Sequence, residues 1–179
     1  MYDIGGAVTG EIAQVGREGV IDASSLLGAI EAPNRAVAQC AGSIYRLPIK
    51  VFRDEFDRHG ELLKTTLYYT QFLISQVAQT ALCNRHHTVS QQLCRWLLSA
   101  TDRMEIHELL VTQEQIAKLL GVRREGITGA AGRLQKLGVI EYGRGRIEIL
   151  DRPELERLAC ECYDKMKREL KALQMASRP

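Results

Sequence analysis

The sequence has no apolar run near the ~20 residues that would span a bilayer. Its opening, Met1-Tyr2-Asp3-Ile4-Gly5, carries neither the basic nor the apolar stretch of a signal peptide. These absences lead to the expectation of a soluble, cytoplasmic protein with no membrane partner. Aromatic residues make up only 6%, with one tryptophan, and 24 basic residues against 22 acidic leave a net charge of only +2. Disorder along the whole 179 residues is excluded, because 45% hydrophobic content with so little net charge can bury a core. Cysteine is scarce and odd in number. Cys40, Cys83, Cys94, Cys160 and Cys162 share no repeated spacing, so reduced thiols are expected rather than a disulfide framework. Catalytic signatures are missing too: there is no Gly-rich phosphate loop, nucleophile elbow or His-Glu-x-x-His. Asp54, Glu55 and Asp57 read as a helix's solvated face, and no enzyme is expected.

What is present divides along the chain. Residues 1–58 read as strands and turns: glycines punctuate short apolar runs, with strand candidates at Ala36–Cys40 and Ser43–Leu47 and a helix over Ile49–Phe56. Residues 59–87 read as one long helix. Leu63, Leu67, Thr70, Ile74, Val77 and Ala81 recur at alternating spacings of four and three, the a/d seam of a coiled coil, with Thr70 as a polar interruption that could fix register. The seam predicts a dimer; the alternative is a core helix carrying the same stripe. Residues 151–179 read as a final helix capped by Asp151, with Pro153 in its first turn and an apolar face from Leu155 to Leu173.

Residues 88–150 carry the strongest local signals. Thr88 or Ser90 caps a helix through Trp96, and Leu109–Val111 is a short strand or a helix end. Thr112 with Gln115 makes a capping box ahead of Ile116, Leu119 and Leu120, and Gly121 ends that helix. A second helix over Arg123–Lys136 stops at Gly138. Val139–Tyr142 and Arg146–Leu150 then alternate around a Gly143-Arg144-Gly145 turn, a hairpin. Two short helices on a tight turn followed by a hairpin predict a winged helix-turn-helix. Between positions 123 and 146, Arg123, Arg124, Arg133, Lys136, Arg144 and Arg146 face only Glu125 and Glu141, a local net of +4. That localised charge fits a double-stranded DNA partner. Arg124 suits guanine and Glu125 cytosine; Arg123 suits base or phosphate; Thr112, Thr128 and Arg133 join the candidate DNA-binding residues, and Arg144 and Arg146 suit the flanking backbone. Gly126 and Gly129 weaken the second helix yet would let it sit close to DNA.

The stretch "VTQEQIAKLLGVRREGITGAAGRLQKLGVIEYGRGRIEILD" resembles the DNA-binding domain of the Crp/Fnr superfamily of bacterial transcription regulators. The seam helix is similar to that family's dimerisation helix. Residues 1–58, through "VGREGVIDASSLLG" and "NRAVAQCAGSIYRLP", resemble the later part of its cyclic-nucleotide-binding β-roll. The resemblance implies an α+β fold: a partial β-roll (1–58), a dimerisation helix (59–87), a winged helix-turn-helix (88–150) and a C-terminal helix (151–179). It further implies a homodimer on a near-palindromic operator, with RNA polymerase as a candidate further partner. Three departures stand out. Gly129 occupies the place of a further arginine that the family often has after its Arg-Glu pair. Asp22 after Ile21, and Asn34-Arg35 after Pro33, replace the Glu and Arg-Ser of the phosphate cassette, which weighs against a cyclic nucleotide as effector. The opening half of the β-roll has no counterpart, which fits a piece of a longer protein or a regulator with a shortened sensor, and no residue names the effector. An iron–sulfur cofactor is not expected either, since that family's sensors use an N-terminal cysteine cluster.

Other candidates read more plainly as structural. Two positions apart on a helix, Cys160 and Cys162 would point ~200° apart and could not share an ion. His86 and His87 could bind metal with Cys83, but a solvated pair is the simpler reading; no metal is expected. His59 and His107 read as surface residues, Arg35 as a lone surface arginine, and Trp96 as core. The functional alternatives are a protein-interaction module, or a small-molecule sensor, using the winged helix as scaffold.

Overall fold

In a computed structural model, residues 2–4, 8–28, 35–104 and 106–176 are described. Asn34 lies outside them. The chain opens with a two-stranded antiparallel hairpin, β1 (Tyr2–Ile4) and β2 (Val8–Gly10), in the register Tyr2 to Gly10. A turn of helix, α1 (Ala23–Leu26), follows, then α2 (Ile49–Phe56) and the 26-residue α3 (Glu61–His86), about 39 Å long. Helix α4 (Val89–Met104) leads into β3 (Glu108–Leu110), α5 (Gln113–Leu120) and α6 (Arg124–Lys136). A hairpin of β4 (Ile140–Gly143) and β5 (Arg146–Ile149) precedes α7 (Arg152–Leu158) and α8 (Cys162–Ala176). The architecture is α+β.

Two expectations are corrected. Ala36–Cys40 and Ser43–Leu47 form no strands. Val37, Ile44, Tyr45 and Leu47 lie exposed, Tyr45 completely, so these segments have neither a ladder for their backbone nor a second layer for their side chains. Among the described residues of 1–58 the only strands are β1 and β2. The single C-terminal helix is two helices, because Ala159 turns extended (ψ 162°) and breaks the rod. The break lets one apolar sequence serve two cores. Leu155, Leu158 and Tyr163 pack with α4, α5 and α6, whereas Met166, Leu170 and Leu173 pack on Tyr69, Phe72 and Leu73 of α3.

The larger core joins Leu93, Trp96 and Leu97 of α4 to Ile116 and Leu120 of α5, to Ile127, Ala130 and Leu134 of α6, and to Val139, Ile140 and Ile147 of the sheet region. These side chains follow the i, i+3, i+4 and period-2 patterns of the sequence, which is why the elements form where they do. The three-stranded sheet has the order β3-β5-β4, all antiparallel. Its inner face carries Leu109, Ile147 and Ile149. On its outer face Glu108, Glu148 and Glu141 stand in one row across the three strands, beside Arg146.

Residues 11–22 dock against this half. The backbone N–H of Glu11 donates to the Leu119 carbonyl (2.7 Å), and the Trp96 indole N–H donates to the Glu11 carboxylate (3.2 Å). Glu18 and Arg103 pair at 3.1 Å with their side chains only 6% and 11% exposed. The Tyr69 hydroxyl donates to the Val20 carbonyl, and its ring lies so close to Gly19 that a Cβ there would sit 2.6 Å from it. Burial raises the Glu11 pKa, a shift only partly opposed by hydrogen bonds from Gln39 and Trp96.

Candidate nucleic-acid interface

Local chemistry sets the geometry of the helix pair. The capping box forms as the sequence predicts: the Gln115 N–H donates to Thr112 Oγ1 (3.2 Å), and the Thr112 N–H donates to Gln115 Oε1 (2.8 Å). Thr88 caps α4 in the same way with Gln91. Gly121 takes the left-handed conformation (φ 66°) and ends α5, so α6 restarts after Arg123. The β4–β5 turn has positive φ at both Arg144 (52°) and Gly145 (75°), the type I′ signature that suits two-residue hairpins. The Gln113 N–H donates to the Tyr142 hydroxyl (3.0 Å), which ties the start of α5 to the wing.

The face that results is cationic and open. Ile127, Ala130, Ala131 and Leu134 turn inward, while Arg123, Arg124, Glu125, Thr128, Gly129 and Lys136 are exposed. Arg123, Arg124, Lys136 and Arg144 make no ion pair among the described residues. The other sequence-predicted residues have partners. Thr112 is held in its capping box. The Thr128 hydroxyl donates to Gln113 Oε1 and lies 3.1 Å from the Arg124 carbonyl oxygen. Arg133 turns aside to donate to Ser90 of α4 (2.7 Å), and Arg146 lies 3.5 Å from Glu108 on the outer sheet face. Gln113, Ser90 and Tyr142, which brace this face, escaped sequence reasoning because their partners lie 15 to 43 residues away. Gly129 and Gly132 lack neighbours that a Cβ would strike, apart from the tip of Arg133 3.8 Å from Gly129; Gly126 faces Val89 at 3.7 Å. No packing constraint therefore demands these glycines.

The α3 seam and the α3 core face are distinct. Thr66, Tyr69, Phe72, Gln76, Thr80 and Cys83 turn into the protein. About a third of a turn away, Leu63, Thr70 and Val77 are half-buried, and Leu67 (51%), Ile74 (58%) and Ala81 are exposed. The Thr70 hydroxyl is satisfied within its own helix by the Thr66 carbonyl (2.8 Å). The candidate effector residues are otherwise engaged: the Asp22 carboxylate accepts the hydroxyls of Ser24 and Ser25, which hold its pKa below the ordinary value. Arg35 is exposed, as are His59, His86 and His107.

One part of the cysteine reading is corrected. Cys160 lies in the α7–α8 link and Cys162 opens α8, so the two are not on one helical rod. Together with Cys83, their sulfurs form a buried cluster, and His87 is half-buried against it rather than solvated.

Capped helix, turn, second helix and wing define a winged helix-turn-helix, the class of module that presents a short helix at a surface. Residues 91–158 match the Crp-like helix-turn-helix domain family. No curated protein matches the sequence. Among solved structures, a protein from Eubacterium rectale described as a transcriptional regulator of the Crp/Fnr family matches at 27% identity and TM-score 0.50, over 62% of this chain and 51% of its own. FixK2 from Bradyrhizobium japonicum (16%, TM-score 0.53, 60% and 59%) and a CooA mutant from Carboxydothermus hydrogenoformans (16%, TM-score 0.51, 61% and 54%) share the fold. The chain thus spans about half the length of these solved proteins, and its residues 91–158 carry a Crp-like helix-turn-helix domain.

Proposed function

We propose that the protein is a DNA-binding transcription regulator of the Crp/Fnr type that acts as a homodimer, with α6 laid in the major groove. The observation that carries the reading is the exposed leading end of α6, where Arg123 and Arg124 stand without an ion-pair partner among the described residues; Lys136 at the far end of the helix and Arg144 at the wing tip are likewise exposed and unpaired among them. The fork of Arg124 can donate twice to guanine, and Glu125 can accept from cytosine; each such pair is worth ~1–3 kcal/mol of discrimination. Thr128, braced by Gln113, faces the same groove. Arg123, Lys136, Arg144 and the N-terminus of α5 at Thr112 suit phosphates. Arg133 and Arg146 reach DNA only by leaving Ser90 and Glu108. The unpartnered seam of Leu63, Leu67, Thr70, Ile74, Val77 and Ala81 supplies the second copy's contact, and RNA polymerase is a candidate partner for the assembled dimer.

The experiment is selection of bound duplexes from a random pool, followed by a salt titration. A two-fold-symmetric consensus is expected, with log K falling by about 0.9 per phosphate contact for each unit of log salt. Arg124→Ala should lower affinity for the selected site about tenfold or more and barely change affinity for random DNA. Equal losses on both would remove its base-reading role. Salt-insensitive binding, with a stable heteromeric complex instead, would favour a protein-interaction module.

A further inference from the structure

Three cysteines and a histidine from distant parts of the chain converge where α3 ends. Cys83 lies in the last turn of α3, and His87 is its C-cap. Cys160 and Cys162 flank the start of α8. Their ligand atoms all lie within 4.8 Å of one another, with Cys83 Sγ 3.6 Å from Cys160 Sγ and Cys162 Sγ 3.6 Å from His87 Nδ1. At zinc–sulfur distances of ~2.3 Å, the edge of a tetrahedral ligand set is about 3.7 Å. Cys83, Cys160 and Cys162 are at most 4% exposed and form a cluster of their own, with no aliphatic side chain among them.

From this geometry we infer that Cys83, His87, Cys160 and Cys162 bind one tetrahedral zinc-class ion. The surroundings complete the site. Glu161 Oε1 lies 3.2 Å from His87 Nε2, so this carboxylate accepts the Nε2–H and leaves the Nδ1 lone pair facing the sulfurs, the usual outer support of a metal-bound imidazole. The Gln79 amide donates to Cys162 Sγ (3.0 Å), as suits a thiolate. Three thiolates and a divalent ion carry one net negative charge. Arg95, 8% exposed and with an unpartnered Nε, is the buried cation that acts electrostatically on Cys83. Soft sulfur donors select zinc over magnesium or calcium, and the thiol protons leave to water as the ion enters. The spacing suits a single ion rather than an iron–sulfur cluster, whose separate irons need a wider ring of thiolates. The ion would bind the end of α3 to the α7–α8 link and so fix the angle between the seam helix and the winged helix.

The test uses the full chain, purified anaerobically, and is independent of DNA binding. Metal analysis should find one zinc per chain. Replacement by cobalt should give, at one equivalent, the intense visible bands of a tetrahedral thiolate-rich site. Glu161→Gln should keep that spectrum and weaken cobalt binding about 10–100-fold. His87→Ala should abolish or shift the bands while circular dichroism stays unchanged. Weak octahedral cobalt bands, stoichiometric iron with sulfide, or a Cys83–Cys160 disulfide in the anaerobic protein would each overturn the inference, and none needs a variant to fold.

Discussion

Two stretches of this chain have similar apolar content and opposite fates. In the winged helix, Leu109, Ile140, Ile147 and Ile149 become the buried face of a sheet. In residues 36–47, Val37, Ile44, Tyr45 and Leu47 remain exposed with no ladder at all. Intrinsic strand preference is comparable in both. The difference lies in the turn: Arg144 and Gly145 bring β4 back along β5, and β3 then adds to the same ladder, whereas Ala41-Gly42 reverses nothing. A strand is a relation between segments, and the first third of the chain offers few partners. The exception is the strip from Glu11 to Asp22, which is irregular in backbone yet docked by specific polar contacts to Leu119, Trp96, Arg103 and Tyr69.

That contrast can be broken at several points. The largest effect is expected at Arg103→Ala, which strands Glu18 as a buried unpaired charge and should cost about 3–5 kcal/mol in chemical denaturation. A loss below 1 kcal/mol would mean that the strip is not docked in solution. Glu11→Gln comes next and acts in the opposite direction. Because burial raises the Glu11 pKa, its contribution is fully present below the ordinary value of 4.5 and is lost as pH rises through the raised value. The glutamine variant should therefore melt higher than the parent at pH 7 and show a flatter pH dependence above 4.5, as thermal scans across pH will show. Gly132→Ala fills open space in a helix interior and should stabilise the winged helix by ~0.5–1 kcal/mol. If α6 lies against a duplex there, the same variant will lose DNA affinity while gaining stability. Smallest of all, Tyr45→Ser should change stability by less than ~0.5 kcal/mol, since the side chain touches little. A loss above 1 kcal/mol would show that residues 36–47 pack in solution.

Legibility in the sequence followed distance along the chain. The Thr112–Gln115 box, the Gly121 and Gly138 stops and the Arg144-Gly145 turn are encoded within a few residues, and each forms as read. The spacing of the α3 stripe was legible, but the separate core face through Thr66, Tyr69, Phe72, Gln76 and Thr80 was not, because two of its residues are threonines and one is a glutamine. The Glu18–Arg103 pair, the Trp96–Glu11 bond and the cysteine–histidine cluster join residues 75 to 85 apart, and no local pattern announces them. Cys160 and Cys162 were misjudged because a continuous helix was assumed across Ala159, where two apolar faces of one sequence serve different cores. Arg133 and Arg146 were rightly counted as charge, but their side chains were aimed by Ser90 and Glu108, which periodicity does not reveal.

The row of Glu108, Glu148 and Glu141 gives the winged helix a sidedness. Like charges set directly opposite one another weaken a sheet slightly. They also make one flank of the wing repel any polyanion, while Arg144 at its tip attracts one. Under the proposed DNA-binding role, this asymmetry would turn a duplex away from the sheet and toward the helices before any base is touched.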